Sequence, residues 1–428
     1  MDLEVFDRQA GSKRSYNRLA RPPPVCIYWQ EGKCTRDPCN FLHVVEPGSS
    51  KRVGANNGFA PKRSYHVPED IQSAGPPGGS RRNTSAKWGR GLGGRIISDD
   101  HKQKVHHKVC SFWLSGKCKH GADCKYLHSF VIGEDVTFLT HLVGHEKAVR
   151  GIALPSNSDK LYSGGQDGTV RVWDCQTGEC SSVIKLGGEV GCLLSEGPWL
   201  FLGLPNAVKA WNIFTSTELS LDGPRGQVHA MVVGNGMLLA GIHDGNILAW
   251  KFSAVSNSFE PAASLAGHTS PVITLVSGAD RLYSGSMDQT IRVWDLGTFQ
   301  CMQTLGDHTS VVMSLLCWDQ FLLSCSLDNT VKVWVANSSG ALEVTYTHDE
   351  QHGVLAMCGM HDEQAKPVLL CSCNDNSVRL YDLPSFHERG KIFSKNEVRA
   401  FQIGPGGLFF TGDGMGDLKV WKWATQAS

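Results

Sequence analysis

Long apolar runs are missing from this sequence. No stretch of its 428 residues approaches the roughly 18 consecutive apolar residues that a membrane-spanning helix requires. The first residues, MDLEVFDRQAGSKRSYN, contain no apolar segment typical of a secretory signal, so secretion is not expected. Nine of the 15 cysteines follow no spacing typical of a disulfide framework. Without a predicted route to an oxidising compartment, we interpret these nine as buried thiols.

The sequence also has no net charge, but this zero is the sum of a positively charged part and a negatively charged part. Residues 1–130 contain 22 Lys and Arg against 11 Asp and Glu, whereas residues 131–428 contain 19 against 30. A basic arm is therefore joined to an acidic body. Such asymmetry predicts that the basic part meets a polyanion, and it disfavours nucleic acid on the acidic part.

Large apolar residues are scarce in two N-terminal segments. Residues 1–25 are polar and basic and are predicted to form a disordered tail. Residues 44–105 are rich in Gly, Pro, Ser and Arg and cannot bury enough apolar area to offset the entropy of ordering. We predict a disordered linker here. Its basic residues would add sequence-independent affinity for nucleic acid or form a nuclear import signal.

Two short cysteine and histidine clusters, in residues 26–43 and 106–129, are candidate metal sites. The first has the spacing Cys-x7-Cys-x4-Cys-x3-His and the second Cys-x7-Cys-x5-Cys-x3-His. Three thiolates and one imidazole form a closed tetrahedral Zn²⁺ site, so both metals are predicted to be structural. Zinc binding would supply the folding free energy that so short a segment lacks. The predicted ligands of the two zinc ions are Cys26, Cys34, Cys39 and His43, and Cys110, Cys118, Cys124 and His128.

Both clusters resemble the CCCH zinc-finger family, most members of which bind single-stranded RNA. In that family aromatic side chains stack on bases, a contact worth about 1–3 kcal/mol per base. Basic residues surround the second cluster, whose Cys118–Gly121 segment resembles the family's basic-aromatic-Gly pattern, so the second finger is predicted to bind RNA more strongly. The first would be a weak helper or a protein contact. The predicted RNA-binding residues are Phe41, Phe112, Lys117, Lys119, His120, Lys125 and Tyr126.

An alternative for the aromatic residues is that they only cover the zinc sites. Phe41 and Tyr126, which precede their ligand histidines by two residues, are the better stacking candidates. Of the remaining four aromatics, we expect at least half to pack inward. These are Tyr28, Trp29, Phe112 and Trp113.

From about residue 135 the sequence repeats a unit of about 40 residues. LYSGGQDGTVRVWD at 161–174 matches LYSGSMDQTIRVWD at 282–295, for example. The aromatic residue of the unit recurs at Trp173, Trp211, Trp250, Trp294, Trp334, Tyr381 and Trp421. This period resembles the WD40 family, whose unit is a four-stranded blade, and implies an all-β, seven-bladed propeller over residues 135–428.

The last blade is predicted to take its outer strand from the start of the domain. Only seven residues follow Trp421, which leaves no room for that strand. Residues 136–142 have strand composition, and their addition to the last blade would close the ring.

Three blades carry the same four residue types at matching positions. In the WD40 family such groups form a hydrogen-bonded chain within each blade, and we interpret them in this way. An enzyme site occurs once, whereas these sets recur, and no other catalytic signature is present, so no enzyme is predicted. The sets are His145, Ser163, Asp167 and Trp173; His268, Ser284, Asp288 and Trp294; and His308, Ser324, Asp328 and Trp334.

The order of finger, basic linker, finger and propeller resembles the plant ZFWD group, which combines CCCH zinc fingers with WD40 repeats. The resemblance implies a zinc-dependent RNA-binding adaptor in nuclear RNA metabolism, whose propeller docks a protein complex. A nuclear location is expected, with shuttling to the cytoplasm left open, and neither a membrane nor a small-molecule substrate is expected. The alternative is a protein scaffold or ubiquitin-ligase substrate receptor, in which the fingers contact protein or, less favoured, DNA. The Trp-Asp-x-Arg motif frequent in such receptors is missing.

Overall fold

The computed structural model describes residues 108–156 and 158–423, all within one compact unit. The predictions for the tail, the first finger (Cys26, Cys34, Cys39, Phe41 and His43) and the linker lie outside these residues. Within the described ranges, helix is limited to α1 (Ser111–Leu114) and one 3-10 turn (Gly121–Asp123). Neither could span a membrane.

All remaining regular structure is β, in seven antiparallel sheets that form the predicted propeller. Two strands, β1 (Val131–Ile132) and β2 (Val136–Leu142), precede the blades. Blades 1 to 3 comprise β3 (Val149–Ala153), β4 (Lys160–Gly165), β5 (Thr169–Asp174) and β6 (Cys180–Lys185); β7 (Cys192–Glu196), β8 (Trp199–Leu204), β9 (Ala207–Asn212) and β10 (Glu218–Leu221); and β11 (Val228–Gly234), β12 (Met237–Ile242), β13 (Ile247–Ser253) and β14 (Ser258–Leu265).

The other four blades continue the pattern. Blades 4 and 5 comprise β15 (Val272–Gly278), β16 (Arg281–Ser286), β17 (Ile291–Asp295) and β18 (Cys301–Leu305); and β19 (Val312–Trp318), β20 (Phe321–Ser326), β21 (Thr330–Ala336) and β22 (Leu342–Asp349). Blades 6 and 7 comprise β23 (Val354–His361), β24 (Pro367–Cys373), β25 (Ser377–Asp382) and β26 (His387–Phe393); and β27 (Val398–Ile403), β28 (Leu408–Asp413) and β29 (Leu418–Trp423).

The ring closes as the sequence predicts. Strand β2 pairs antiparallel with β29 and becomes the outer strand of blade 7, with Val136 opposite Trp423 and Leu142 opposite Leu418. Each innermost strand contacts the innermost strand of the next blade, and β27 contacts β3. Because blade 7 packs against blade 1 and takes its outer strand from the start of the domain, the propeller exposes no open interface between its first and last blades.

The core lies between the blades. The repeat tryptophans Trp173, Trp250, Trp294, Trp334 and Trp421 are among its largest fully buried side chains. Close packing of the next blade explains a recurrent glycine. A Cβ atom on Gly164 would lie 2.6 Å from Val190 Cγ1, and one on Gly285 would lie 2.7 Å from Val312 Cγ1. The Ser-Gly step of the repeat is therefore a packing requirement between blades.

The nine cysteines of the propeller are free thiols, but the prediction that they are buried is wrong for some of them. Cys192, Cys325, Cys371 and Cys373 are buried. Cys175, in the turn after β5, and Cys301, on the outer strand β18, are exposed. Turns and outer strands face solvent in a propeller, and composition alone does not reveal which positions these are.

Candidate functional site

The second finger is a small loop whose two ends are held side by side. Val109 and Leu127 form a parallel bridge, and the Cys110 N–H donates to the Leu127 carbonyl at 2.9 Å. Helix α1 starts directly after Cys110, and the 3-10 turn ends just before Cys124. This arrangement brings the first ligand next to the last one, His128.

The four predicted ligands of this finger come together. One donor atom from each of Cys110, Cys118, Cys124 and His128 lies within 4.8 Å of the other three. Sulfur–sulfur separations are 3.8 Å for Cys118–Cys124 and 3.8 Å for Cys124–Cys110. Tetrahedral zinc with bonds of about 2.3 Å to sulfur places two thiolates about 3.8 Å apart, so the sulfur spacing fits the ion.

A histidine nitrogen supports the same conclusion. His128 Nε2 is buried and has no hydrogen-bond partner among the described residues. A buried nitrogen without a partner is costly, and a metal ion in front of its lone pair would remove that cost. The Trp113 N–H also donates to Cys110 Sγ at 3.4 Å, a contact that stabilises a thiolate. These residues would hold one structural Zn²⁺, which would supply folding free energy and no open position for chemistry.

The predicted RNA-binding residues of this finger all lie on its surface. Phe112 is 66% exposed and Tyr126 is 53% exposed. The basic side chains around them are exposed as well; these are Lys117, Lys119, His120 and Lys125. Large aromatic rings left open to solvent beside cations form a surface on which bases could stack.

Trp113, next to Phe112 in the sequence, turns inward. Its ring stacks on that of His128 at 5.6 Å between centroids, with only 12° between the planes. On its other side it contacts Phe130 at 4.8 Å. Adjacent aromatics of α1 therefore differ: Phe112 faces solvent, and Trp113 covers the metal site.

Phe130 links the finger to the propeller, and the sequence analysis missed it. Its ring lies 4.9 Å from Phe138 on β2, and the Lys419 ammonium lies 5.7 Å from its centroid. Phe138 in turn packs at 5.4 Å against Trp421, the repeat aromatic of blade 7. A continuous aromatic path therefore runs from the zinc ligand His128 into the blade core.

A short strand fixes the connection that follows. Strand β1 pairs antiparallel with β26 and makes blade 6 a five-stranded sheet. Arg389 on β26 binds Asp135, after β1, at 3.1 Å and Asp362 at 2.9 Å. These contacts attach the finger to blades 6 and 7 and orient its exposed face relative to the propeller.

The repeated polar sets form the same network in blades 1, 4 and 5. In blade 1, His145 Nδ1 lies 2.9 Å from Asp167 Oδ2, and His145 Nε2 lies 2.8 Å from Ser163 Oγ. Ser163 Oγ also accepts from Trp173 Nε1 at 2.8 Å. Blade 4 repeats this chain through His268, Asp288, Ser284 and Trp294, and blade 5 through His308, Asp328, Ser324 and Trp334.

Each network has a further member that the sequence analysis did not select. Thr169, Thr290 and Thr330 each donate to the blade's aspartate Oδ1 at 2.7 Å. The signal was present, because Asp-x-Thr occurs in all three copies. Burial lowers the pKa of the three histidines, and hydrogen bonds from threonine, histidine and backbone lower the pKa of the aspartates in spite of burial. Every polar atom in such a hydrogen-bond network depends on its neighbours, so the network has a structural role in the blade.

Blade 6 has a different buried polar network at this place. Arg379 pairs with buried Glu350, and the Tyr381 hydroxyl donates to the same carboxylate at 2.5 Å. Glu350 stands four residues before Val354, as His145 stands before Val149, so it takes the position that histidine has in blades 1, 4 and 5. His348, two residues earlier, packs against Tyr381 and Phe386. Burial and Glu350 raise the pKa of Tyr381.

Family models match the two parts of the chain. An "RNA-binding, Nab2-type zinc finger" model matches residues 26–43 and 110–128, and a "WD domain, G-beta repeat" model matches 136–174, 259–295 and 299–335. With the geometry above, these matches define a protein that joins CCCH zinc fingers of an RNA-binding type to a WD40 propeller. Both are typically binding domains without catalytic activity.

Full-length relatives identify the family. "Zinc finger CCCH domain-containing protein 17" of Oryza sativa subsp. japonica is 57% identical over 440 residues, covering 100% of this chain and 99% of the relative. "Zinc finger CCCH domain-containing protein 63" of Arabidopsis thaliana is 57% identical over 444 residues, with 98% of each chain covered. The chain belongs to this plant family of CCCH zinc-finger proteins with WD40 repeats.

Two more distant likenesses cover part of the chain. "THO complex subunit 6" of Homo sapiens is 31% identical over 112 residues, covering 24% of this chain and 32% of the human protein. The crystal structure of the computationally designed Ika8 protein superposes with a TM-score of 0.51 at 24% identity, over 67% of this chain and 99% of the designed one. The latter likeness concerns the fold alone.

Proposed function

We propose that the protein is a zinc-dependent RNA-binding adaptor whose second finger holds single-stranded RNA while its propeller docks a protein complex in nuclear RNA metabolism. The observation that carries the RNA part is the contrast within one small finger. Phe112 and Tyr126 are open to solvent beside cations, whereas Trp113 covers the metal site. A finger that used its aromatics only for its own stability would turn them all inward.

The propeller part rests on fold and charge. Residues 131–428 carry 30 acidic against 19 basic residues, which repels nucleic acid and favours a protein partner. A human protein that matches 24% of this chain is by its name a subunit of the THO complex. The nuclear location rests on the basic N-terminal part, and imaging of the fluorescently tagged full chain tests it. Exclusion from the nucleus would contradict this part of the proposal.

The RNA test compares full-length variants by crosslinking to RNA in cells. Tyr126→Ala should reduce the crosslinked RNA about tenfold, because one stacking contact is worth about 1–3 kcal/mol. Tyr126→Phe keeps the ring and should bind as wild type does. Phe214→Ala, which removes a 64% exposed ring from blade 2, is the matched surface control. Unchanged crosslinking of Tyr126→Ala and of the ligand variant Cys124→Ser would contradict RNA binding by this finger.

The same experiment ranks the fingers and separates the alternative function. Loss of crosslinking in Cys34→Ser alone would assign RNA binding to the first finger. If no variant changes RNA crosslinking but Cys124→Ser loses a co-purified protein, the finger is a protein contact, and the chain is a scaffold. Oligonucleotide competition with DNA and RNA of one sequence distinguishes the DNA alternative.

A further inference from the structure

The mouth of the central channel, called the channel mouth below, is a cavity of about 470 Å³ lined by residues of all seven blades. Its volume lies in the range typical of ligand pockets. The residue that follows the buried valine at the start of an innermost strand supplies much of the lining. Arg150 follows Val149, Met313 follows Val312, and Arg399 follows Val398.

One side of the channel mouth is basic. Among the described residues the Arg150 side chain makes no hydrogen bond or ion pair; it is exposed to solvent, and the protein around it lowers its pKa. Arg399 is close enough to lower that pKa further, but Glu397 pairs with Arg399. A ligand can reach Arg150 through the channel, and the Arg150 guanidinium is available to bind it.

The other charged groups of the channel mouth compensate the charge of Arg150 only in part. Glu189 is close enough to raise the pKa of Arg150, but it also lies 3.7 Å from Lys147, which shares its charge. His229 and His243 contact each other at 3.3 Å between ring nitrogens. Burial, His243 and Arg150 lower the pKa of His229 to about 4, so this ring is neutral at pH 7. The channel mouth therefore carries about one unit of positive charge within an acidic domain.

The opposite side of the channel mouth is apolar. It is formed by Ile273, Met287, Met313 and Leu355, and Met287 is 44% exposed. Methionine side chains adapt to differently shaped apolar groups, which suits a peptide side chain. The channel mouth has no Phe, Tyr or Trp among its lining residues on which a nucleic-acid base could stack.

We propose that the channel mouth binds a short peptide of a partner protein, with an Asp or Glu carboxylate on Arg150 and an adjacent apolar side chain against Met287 and Met313. The proposal rests on the propeller's proposed role as a protein-docking platform. One unpaired arginine matches a singly charged carboxylate, whereas a phosphate of charge near −2 would remain undercompensated. An arginine and carboxylate can also pair through two parallel hydrogen bonds.

A random hexapeptide library selected on the full-length protein tests the proposal. The retained peptides should share an acidic residue next to an apolar one. For a retained peptide, fluorescence anisotropy should show at least about tenfold weaker binding by Arg150→Met, because the variant loses a charged hydrogen-bond partner. Met287→Ser should weaken binding as well. Lys251→Met removes an equal charge from an exposed site on β13 outside the cavity and should change nothing.

Changes to the peptide distinguish the chemistry. Replacing Glu by Gln should weaken binding to the level of Arg150→Met, and replacing Glu by phosphoserine should not improve it. Tighter binding of the phosphopeptide, competition by an RNA oligonucleotide, no enrichment of acidic residues, or wild-type affinity of Arg150→Met would each overturn the proposal. Arg150 makes no contact that folding requires, and equal melting temperatures of variant and wild type would verify this.

Failure of this site is separable from failure of the docking function. If Arg150→Met still co-purifies the same protein complex as wild type while peptide selection fails, the docking function stands and another face is used. If neither protein co-purifies a complex, the docking function itself fails. Loss of one complex member in Arg150→Met but not in Lys251→Met would support both.

Discussion

At the scale of single residues, each regular blade depends on one serine hydroxyl. In blade 5 the fully buried Ser324 meets both His308 Nε2 at 2.7 Å and Trp334 Nε1 at 2.8 Å. Ser324→Ala would leave both ring nitrogens without a partner. We expect the free energy of unfolding to fall by about 1–3 kcal/mol, measured by urea denaturation. Ser182→Ala, an exposed serine on β6, should stay within about 0.5 kcal/mol of wild type.

Blade 6 concentrates charge where blades 1, 4 and 5 use a histidine and a serine. Glu350→Ala would leave the Arg379 guanidinium buried without its main partner and free the Tyr381 hydroxyl. Removing one member of a buried ion pair typically costs about 3–5 kcal/mol, so we expect a larger loss than for Ser324→Ala. Denaturation of both variants in parallel measures this difference. Equal losses would show that Asp375, 3.4 Å from Arg379, takes over the pairing.

At the scale of elements, the connection after the finger determines how the finger is held. Phe130 packs between Trp113 of α1 and Phe138 of β2. Phe130→Ala should free the finger from the blade while leaving its four ligands in place. We expect faster hydrogen exchange in residues 108–132 and faster transfer of zinc to a competing chelator, with unchanged exchange in blades 2 to 5. Phe252→Ala, a partly exposed ring on β13, is the control.

The elements also show what the sequence could predict. The number of sequence repeats predicts the number of blades. The role of β2 as the outer strand of blade 7 is predicted because too few residues follow Trp421 to form that strand. Glu350 was missed because blade 6 has a glutamate where the regular blades have a histidine. Only the spacing of this residue from Val354 is kept, and that spacing becomes visible once the strands are aligned. Thr411 was missed for the same reason: it accepts from Trp421 Nε1 at 2.9 Å, as serine does elsewhere.

The candidate site divides in the same way. Ligand spacing reveals the zinc cluster because all four ligands lie within one short segment. The contact between Phe130 and Lys419 joins positions far apart in the chain, and no local pattern predicts it. The channel mouth was missed because each blade supplies only one to three of its residues, which meet only when the ring closes.

At the scale of the whole molecule, the repeated histidines make stability depend on pH. Burial lowers the pKa of His145, His268 and His308 below 6.5, and that of His229 to about 4. Well above pH 6.5 these four histidines are neutral in both the folded and the unfolded chain. Below pH 6.5 the unfolded chain takes up protons first, so the free energy of unfolding falls as the pH drops towards each folded-state pKa.

His229 allows this pH dependence to be tested without breaking a blade network. His229→Asn should flatten the decrease in melting temperature between pH 6.5 and pH 4, because it removes one proton that only the unfolded chain takes up. His387→Asn, a replacement at an exposed position on β26, is the surface control. A steeper slope in His229→Asn would mean that His229 is stabilised when charged.

Zinc removal should separate the functions of the molecule. Among residues 108–128 only Cys110 is buried, so the finger has no apolar core and its fold depends on the metal. The propeller has seven packed blades and no predicted metal. We therefore expect a zinc chelator to abolish RNA binding by the full chain while its β-type circular dichroism and channel-mouth peptide binding persist. Added Zn²⁺ should restore RNA binding, whereas RNA binding that survives chelation would place the RNA site outside the fingers.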